Sequence, residues 1–581
     1  MMLEKISEPK DIKALSLNEL EALADEMRQA LLFRLSKKGG HCGPNFGMVE
    51  ATIALHYVFD SPKDAFVFDV SHQSYCHKML TGRQEAFTKE EAFASITGYS
   101  NFEESEHDFF KLGHTSTSIS LALGMAKARD LQGKKNNVIA IIGDGSLSGG
   151  QALEALDYAG EFDGNLIILV NDNDMSIAEN HGGLYKSLKA LRQSKGTSEN
   201  NIFTSFGLDY CFIEDGNDLE ALITTFQRVK DINHPIVVHM HTQKGKGYAP
   251  AEKDKESWHW CMPFDPKTGK SLVAEEEVSY GSLTCDYLMA KMQEDPTVIT
   301  LVAAVPTNIG FTPDKRKAAG KQFIDVGIAE ELGVSMASGL ARNGDKPVFA
   351  THASFLQRTY DQLSQDLCIN SSPATILVNT ASVYGMNDVT HLGIFDIPML
   401  SNIPNLVYLA PTSKAEYFAM MDWSLAQEKV PVAIRIPCNG VIEDERQPDT
   451  DYACLNRYKV EHEGRDIAIL ALGDFFQLGQ ALQQALKEKG IDATLINPRF
   501  ITGLDCALLE KLKASHTKIV TLEDGILDGG FGQKIASYYG NSTMKVWNYG
   551  LEKKFYDCYD VEEVLKEVRC TPQQIMEDIL K

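Results

Sequence analysis

Residues 137–176 read NVIAIIGDGSLSGGQALEALDYAGEFDGNLIILVNDNDMS: an apolar run ending in GDG, a helix-length crossover, and a second apolar run ending in NDN. Two such runs joined by one helix bury both faces as neighbouring strands of a parallel sheet. Parallel neighbours end on the same sheet edge, where open α/β sheets bind ligands, so Asp144 and Asn173 are expected side by side there. A carboxylate and an amide oxygen suit a hard cation such as Mg2+, with ligand phosphate oxygens completing its octahedron. Gly143 and Gly145 let the backbone approach that phosphate closely.

The same succession of apolar run, Gly/Asp/Asn turn and amphipathic stretch recurs along the chain. PIVVHMHTQ adds a third strand, and the polar segment KGKGYAPAEKDKESWHWCMPFDPKTGK then interrupts the pattern. Strands resume with TVITLVAAV, QFIDVG, PVFATHASF, ATILVNTAS, NLVYLAP and VPVAIRIP. A second interruption, CNGVIEDERQPDTDYACLN, precedes DIAILALGD, ATLINPR, KIVTLEDG and MKVWNYG. The expected fold class is α/β, three doubly wound domains with mostly parallel sheets, spanning 1–270, 271–445 and 446–581. The stretch 181–201, HGGLYKSLKALRQSKGTSENN, is polar and rich in Gly, Ser and Lys, and is expected to be a mobile surface loop.

Lys and Arg number 56 against 80 Asp and Glu, a net charge of -24 that excludes nucleic acid as the main partner. A small anion can still bind where a few cations and backbone N–H groups converge. The N-terminus is charged and amphipathic, without a secretory pattern, and no run of about 20 apolar residues spans a membrane. The 11 cysteines form no CxxC pair. Reduced thiols in a cytoplasmic protein are expected.

GDG followed at this spacing by NDN is similar to the diphosphate-binding motif of thiamine diphosphate enzymes. GGHCGPNFGMVEATIALHYVF, FVFDVSHQSYCHKMLTGR, LGHTSTSISLALGMA, MSIAENHGGL, TQKGKGYAPAEKD, FIDVGIAEELGVSMASGLA, SFLQRTYDQLSQD, THLGIFD and LEDGILDGGFG follow in order over nearly the whole chain. Together they resemble the 1-deoxy-D-xylulose-5-phosphate synthase family, a branch of the transketolase superfamily. The resemblance implies a transketolase-like homodimer holding thiamine diphosphate and Mg2+ between its first two domains. It implies decarboxylation of pyruvate and transfer of the two-carbon unit to glyceraldehyde 3-phosphate, a product that feeds isoprenoid, thiamine and pyridoxal synthesis. The third domain would be structural and dimer-forming.

The resemblance also assigns roles. Glu330 would hydrogen-bond the aminopyrimidine ring; its neighbour Glu331 fits a helix start equally well, so only the motif selects Glu330. His72, Gly113, His114, Thr115, Gly145 and Ser146 would line the diphosphate, with Lys244 nearby. Asp144, Asn173 and the carbonyl of Met175 would hold Mg2+, and Phe355 would pack on the pyrimidine. His41, His259 and His391 would transfer protons or hold oxyanions, which suits a side chain titrating near neutrality. His41, His352, Arg358, Asn387 and His391 would bind substrate.

Departures from the family gather on the acceptor side. Arg358 is kept, but Thr380 and Cys438 stand where the family has arginines, His352 where it has tyrosine, and Asn387 where it has aspartate, with Asp388 adjacent. A guanidinium binds phosphate through a planar fork that neither Thr nor Cys imitates. Each lost charged hydrogen bond is worth about 1.5–3 kcal/mol. Lys186, Lys189 and Arg192 are candidates for replacement charge. Two alternatives follow: a transketolase-type carboligase with a different sugar or aldehyde acceptor, and a non-catalytic regulatory paralogue. The retained Glu330, Asp144 and Asn173 argue against the second.

Overall fold

Alternate residues of each central strand serve opposite cores, which is why those strands read as unbroken apolar runs. Ile139 and Ile141 pack into one buried cluster while Val138, Ala140 and Ile142 pack into another, the pattern of a sheet covered on both faces. The computed structural model describes residues 2–274 and 278–581. Its contacts fall into two units, Met1–Glu275 with Gly327–Ala329, and Glu276–Val326 with Glu330–Lys581.

The first unit contains β1 (Gly40–His41), β2 (Ala65–Phe68), β3 (Val138–Gly143), β4 (Leu166–Asp172), β5 (Asp209–Ile213), β6 (Pro235–His241) and β7 (Trp260–Cys261). Five strands form one parallel sheet in the order β2-β3-β4-β6-β5. The register pairs Gly143 with Asn171, so GDG and NDN leave the sheet together. β1 and β7 form a separate antiparallel pair. The long polar connection is therefore ordered locally, and it returns to the GGHCG segment.

The second unit holds two sheets. β8 (Val298–Val302), β9 (Phe323–Asp325), β10 (Lys346–His352), β11 (Thr375–Asn379), β12 (Val407–Leu409) and β13 (Val432–Arg435) form a parallel sheet ordered β12-β13-β11-β10-β8-β9. β14 (Lys459–His462), β15 (Asp466–Ala471), β16 (Thr494–Asn497), β17 (His516–Ile526) and β18 (Lys545–Leu551) are ordered β14-β16-β15-β17-β18, with only β14 antiparallel. One core joins the sheets: Ile376, Val378 and Tyr408 share a buried cluster with Ala468, Leu470, Ile496 and Ile519. Backbone bonds add to it, Ala410 N–H to Arg499 O and Ile501 N–H to Tyr408 O, both 2.8 Å.

The fold is α/β with mostly parallel sheets, as the strand pattern leads one to expect. The strands not singled out in the sequence are short or peripheral. β5 and β14 are sheet edges with half-exposed, partly polar residues, which hides their periodicity. The stretch 181–201 departs from expectation, because it contains a helix, Leu184–Gln193, that buries Tyr185, Ser187, Leu188 and Leu191. Apolar residues at three-residue spacing make one face of a helix even when the composition is polar. Among the described residues, no helix is long and apolar enough to cross a membrane.

Leu188 is fully buried. Leu188→Ala should destabilise the protein by about 2–5 kcal/mol, read as a lower midpoint in denaturant unfolding followed by circular dichroism; an unchanged midpoint would mean that this stretch is not packed.

Candidate active site

At the shared carboxyl edge of β3 and β4, Asp144 follows one strand and Asn173 the other. Asp144 N–H donates to Asn171 O at 3.0 Å. Both side chains are buried. Burial, reinforced by the negative charge of Asp172, pushes the Asp144 carboxyl up to about 8, although the Asn180 amide, Lys244 and Arg192 pull the other way. Asn180 Nδ2 donates to Asp144 Oδ2 at 2.7 Å. Asn173 Oδ1 is buried with no hydrogen-bond partner, a condition that costs about 1–3 kcal/mol unless a ligand takes the oxygen. A carboxyl able to ionise and an orphaned amide oxygen at one sheet edge fit a hard divalent cation, which would displace the carboxyl's proton. Met175 lies two residues further, half-buried. Gly145 is required by packing, since a Cβ there would sit 2.8 Å from Ser176 Oγ.

The diphosphate candidates are tied to this edge by Asp69, which lies in the FVFDVSHQSYCHKMLTGR segment but has no role assigned to it there. Its carboxylate accepts Ser116 N–H at 2.8 Å and Ser118 N–H at 2.9 Å, fixing the turn that carries Gly113, His114 and Thr115. Ser116 Oγ donates to Ser146 O at 2.8 Å. Lys244 is buried, with Nζ donating to Ser176 O at 2.6 Å; burial pushes its amine down to about 8 against the pull of Asp144.

Three histidines far apart in sequence meet in the first unit. The ring of His41 lies 4.9 Å from His72 and 5.7 Å from His259, and His72 stacks on His259 at 5.2 Å. The β1–β7 pair sets His41 opposite Trp260, next to His259. Val70 and Ser71 adopt φ of 58° and 67° immediately before His72, strain of the kind that gathers at functional sites. Asn45, which lies in the GGHCGPNFG segment without an assigned role, is fully buried and donates to His41 O at 2.8 Å and His72 O at 2.7 Å. Burial, helped by Lys244 and the two neighbouring histidines, holds His259 well below its ordinary range and therefore neutral.

The second unit gathers Glu330, His352, Phe355, Arg358 and His391. Glu330 begins the helix Glu330–Arg342 after β9 and is buried. Burial pushes its carboxyl from 4.5 to about 7 despite Arg358, whose Nη1 lies 3.8 Å from Glu330 Oε2. Phe355 lies edge-on to His352 at 5.1 Å and to His391 at 5.7 Å. His391 is 3.7 Å from Asp388.

The departures have distinct surroundings. His352 is pushed down to about 3 by burial, and next by His391, so it is a neutral hydrogen-bonding group. Its Nδ1 meets Thr380 Oγ1 at 2.7 Å and its Nε2 meets Asn308. Asn387 is engaged by the C-terminal segment: its side-chain amide donates to Tyr559 O at 3.0 Å and its backbone carbonyl accepts Cys558 N–H at 2.7 Å. Cys438 N–H donates to Asp474 Oδ2 at 3.0 Å. Asp474 is pushed up to about 7 by burial and the charge of Asp524, while Arg435 is held between Asp396 and Asp524. Within the 181–201 stretch, Lys186 and Lys189 are exposed, and Arg192 is paired with Asp172 and Asp174.

The first unit thus carries a buried carboxyl and an orphaned amide oxygen at a sheet edge, and the second a buried glutamic acid at a helix start. Residues 3–200 and 192–242 match the family model described as 1-deoxy-D-xylulose-5-phosphate synthase. Residues 276–440 match the transketolase pyrimidine binding domain, and 456–575 the transketolase C-terminal domain. The chain is 37% identical over 617 positions to the 1-deoxy-D-xylulose-5-phosphate synthase of Alkaliphilus oremlandii, covering 100% of this chain and 99% of that protein. The synthases of Clostridium botulinum and Carboxydothermus hydrogenoformans are also 37% identical, over 621 and 612 positions, covering 100% and 99% of this chain and 99% and 98% of theirs. The chain belongs to the 1-deoxy-D-xylulose-5-phosphate synthase family, whose members use thiamine diphosphate with Mg2+.

A carboxyl at about 7 when folded and 4.5 when unfolded takes up a proton on folding between those values, so Glu330 makes the cofactor-free protein lose stability as pH rises through that window. Glu330→Gln should remove a contribution on the order of 3 kcal/mol to that slope. Paired unfolding curves of wild type and variant at pH 5 to 8 measure the difference, and parallel curves would refute the assignment.

Proposed function

We propose that this chain decarboxylates pyruvate and joins the remaining two-carbon unit to an aldehyde, with glyceraldehyde 3-phosphate as the family acceptor and 1-deoxy-D-xylulose 5-phosphate as the product. The observation that carries the reading is Glu330, a carboxyl raised to about 7 at a helix start, where a carboxylate would ordinarily be favoured. A group so poised holds a proton near neutrality and can share it with a ring nitrogen. Asp144, Asn173 and the Met175 carbonyl would hold Mg2+, Lys244 and the 113–115 turn would face the diphosphate, and Phe355 would pack on the pyrimidine. Bound thiamine diphosphate supplies a nucleophilic carbon and an electron sink for decarboxylation. His41 and His259 would move protons and exclude water, and His391 would do so beside Asp388. Domains of 1–270, 271–445 and 446–581, a homodimer and a cytoplasmic setting complete this reading.

A second reading changes only the acceptor. Neutral His352, Thr380 and the Cys438–Asp474 pair leave Arg358 as the permanent cation among the residues assigned to the acceptor, an arrangement that favours an aldehyde with less negative charge than a phosphate ester. Steady-state kcat/KM for glyceraldehyde 3-phosphate against unphosphorylated aldehydes separates the two. Preference for the phosphorylated acceptor supports the first reading, and a tenfold preference against it, about 1.4 kcal/mol, supports the second.

Two outcomes are expected. Glu330→Ala should abolish CO2 release from pyruvate; full release would overturn the assignment. Cys438→Arg, with Asp474 in place to hold the new guanidinium, should raise the kcat/KM ratio of glyceraldehyde 3-phosphate to glyceraldehyde by about tenfold, the worth of one charged hydrogen bond.

A further inference from the structure

Asn173 and Met175 belong to an irregular segment after β4, in which Asp174 adopts φ of 62°. A segment of this kind does not hold ligand atoms at fixed positions unless something outside it does so. Arg192, in the last turn of the helix Leu184–Gln193, reaches it. Its Nη1 lies 2.7 and 2.6 Å from the two carboxylate oxygens of Asp172, and its Nη2 lies 2.6 Å from Asp174 Oδ1. One planar fork thus grips the residues on both sides of Asn173. Asp172 is buttressed in turn: His239 Nε2 meets its Oδ2 at 2.9 Å, and Tyr210 OH meets His239 Nδ1 at 2.8 Å. Asp174 N–H donates to Asp172 Oδ1 at 3.1 Å, closing the turn around Asn173.

We propose that Arg192 is a positioning residue for the cation loop, clamping Asp172 and Asp174 so that the Asn173 amide oxygen and the Met175 carbonyl are held ready beside Asp144. The proposal rests on the reading of Asn173 as a Mg2+ ligand. It also explains why the 181–201 stretch folds as a helix, since the buried face docks that helix and its C-terminal turn delivers the guanidinium. Lysine cannot substitute, because a single ammonium does not bridge three oxygens on two residues in one plane.

The test is calorimetric titration of Mg2+ into the full-length protein with saturating thiamine diphosphate. Arg192→Ala should raise the Mg2+ dissociation constant about tenfold or more, the usual cost of losing a group that orients a metal ligand. Arg192→Lys should recover only part of that loss, and Asp174→Asn, which removes one arm of the clamp, should weaken binding less than Arg192→Ala. Arg192→Lys and Arg192→Ala binding Mg2+ within about twofold of wild type would overturn the proposal, since orienting contacts are worth more than that. Asn173→Ala separates the two levels. If it abolishes Mg2+ binding while the Arg192 variants bind normally, the clamp alone fails; if it binds normally, the ligand reading fails and the clamp with it. Should Arg192→Ala not fold by circular dichroism, Arg192→Lys and Asp174→Asn decide by the same criteria.

Discussion

The pairing of β3 with β4 is the constraint on which the first unit depends. In-register parallel strands deliver Asp144 and Asp172 to one buried edge, and burying two carboxylates so close is costly unless each is answered. The surroundings of the edge are the answers. Arg192 and His239 take Asp172, Asn180 takes one oxygen of Asp144, and Lys244 stands near enough to be shifted by it. What is left over, the Asp144 carboxyl and the Asn173 oxygen, is what a cation would satisfy on displacing the proton. A metal bound at this edge would bring the positive charge that lets an acidic protein take up an anion there.

Burial sets the chemistry of the second unit as well, by deciding which groups carry charge. Glu330 is kept near 7 and His352 near 3 by the same loss of solvent, one a proton holder and the other a neutral acceptor or donor. Two of the acceptor-side departures, His352 and Thr380, touch each other. Thr380 binds the neutral imidazole of His352, and the backbone N–H of Cys438 donates to Asp474, a carboxyl whose own charge is suppressed by burial beside Asp524.

Much of this was legible in the chain. Apolar runs bounded by Gly and Asp marked the central strands correctly, because strands covered on both faces have no polar residues to disguise them. The edge strands β5 and β14 escaped, as did the helix within 181–201, whose buried face is only a few residues wide. Of the site, the residues with assigned roles are those that motif matching names, whereas Asn45, Asp69 and Asn180, though inside family-like motifs, carry no role there, and Arg192 enters only as a candidate replacement charge. Each of these acts through a contact with a segment distant in sequence, and no local pattern points to such a partner.

By itself the sequence determined the α/β class, the succession of strands and the family, because hydrophobic period and turn residues are local properties and motif order is preserved along the chain. Only the tertiary structure decided that His41, His72 and His259 form one cluster, that two sheets share a single core, and that Arg192 is spent on Asp172 and Asp174. Those outcomes depend on which surfaces are withdrawn from water together. Burial is a property of the folded whole, and it alone turns a set of titratable side chains into groups of known charge.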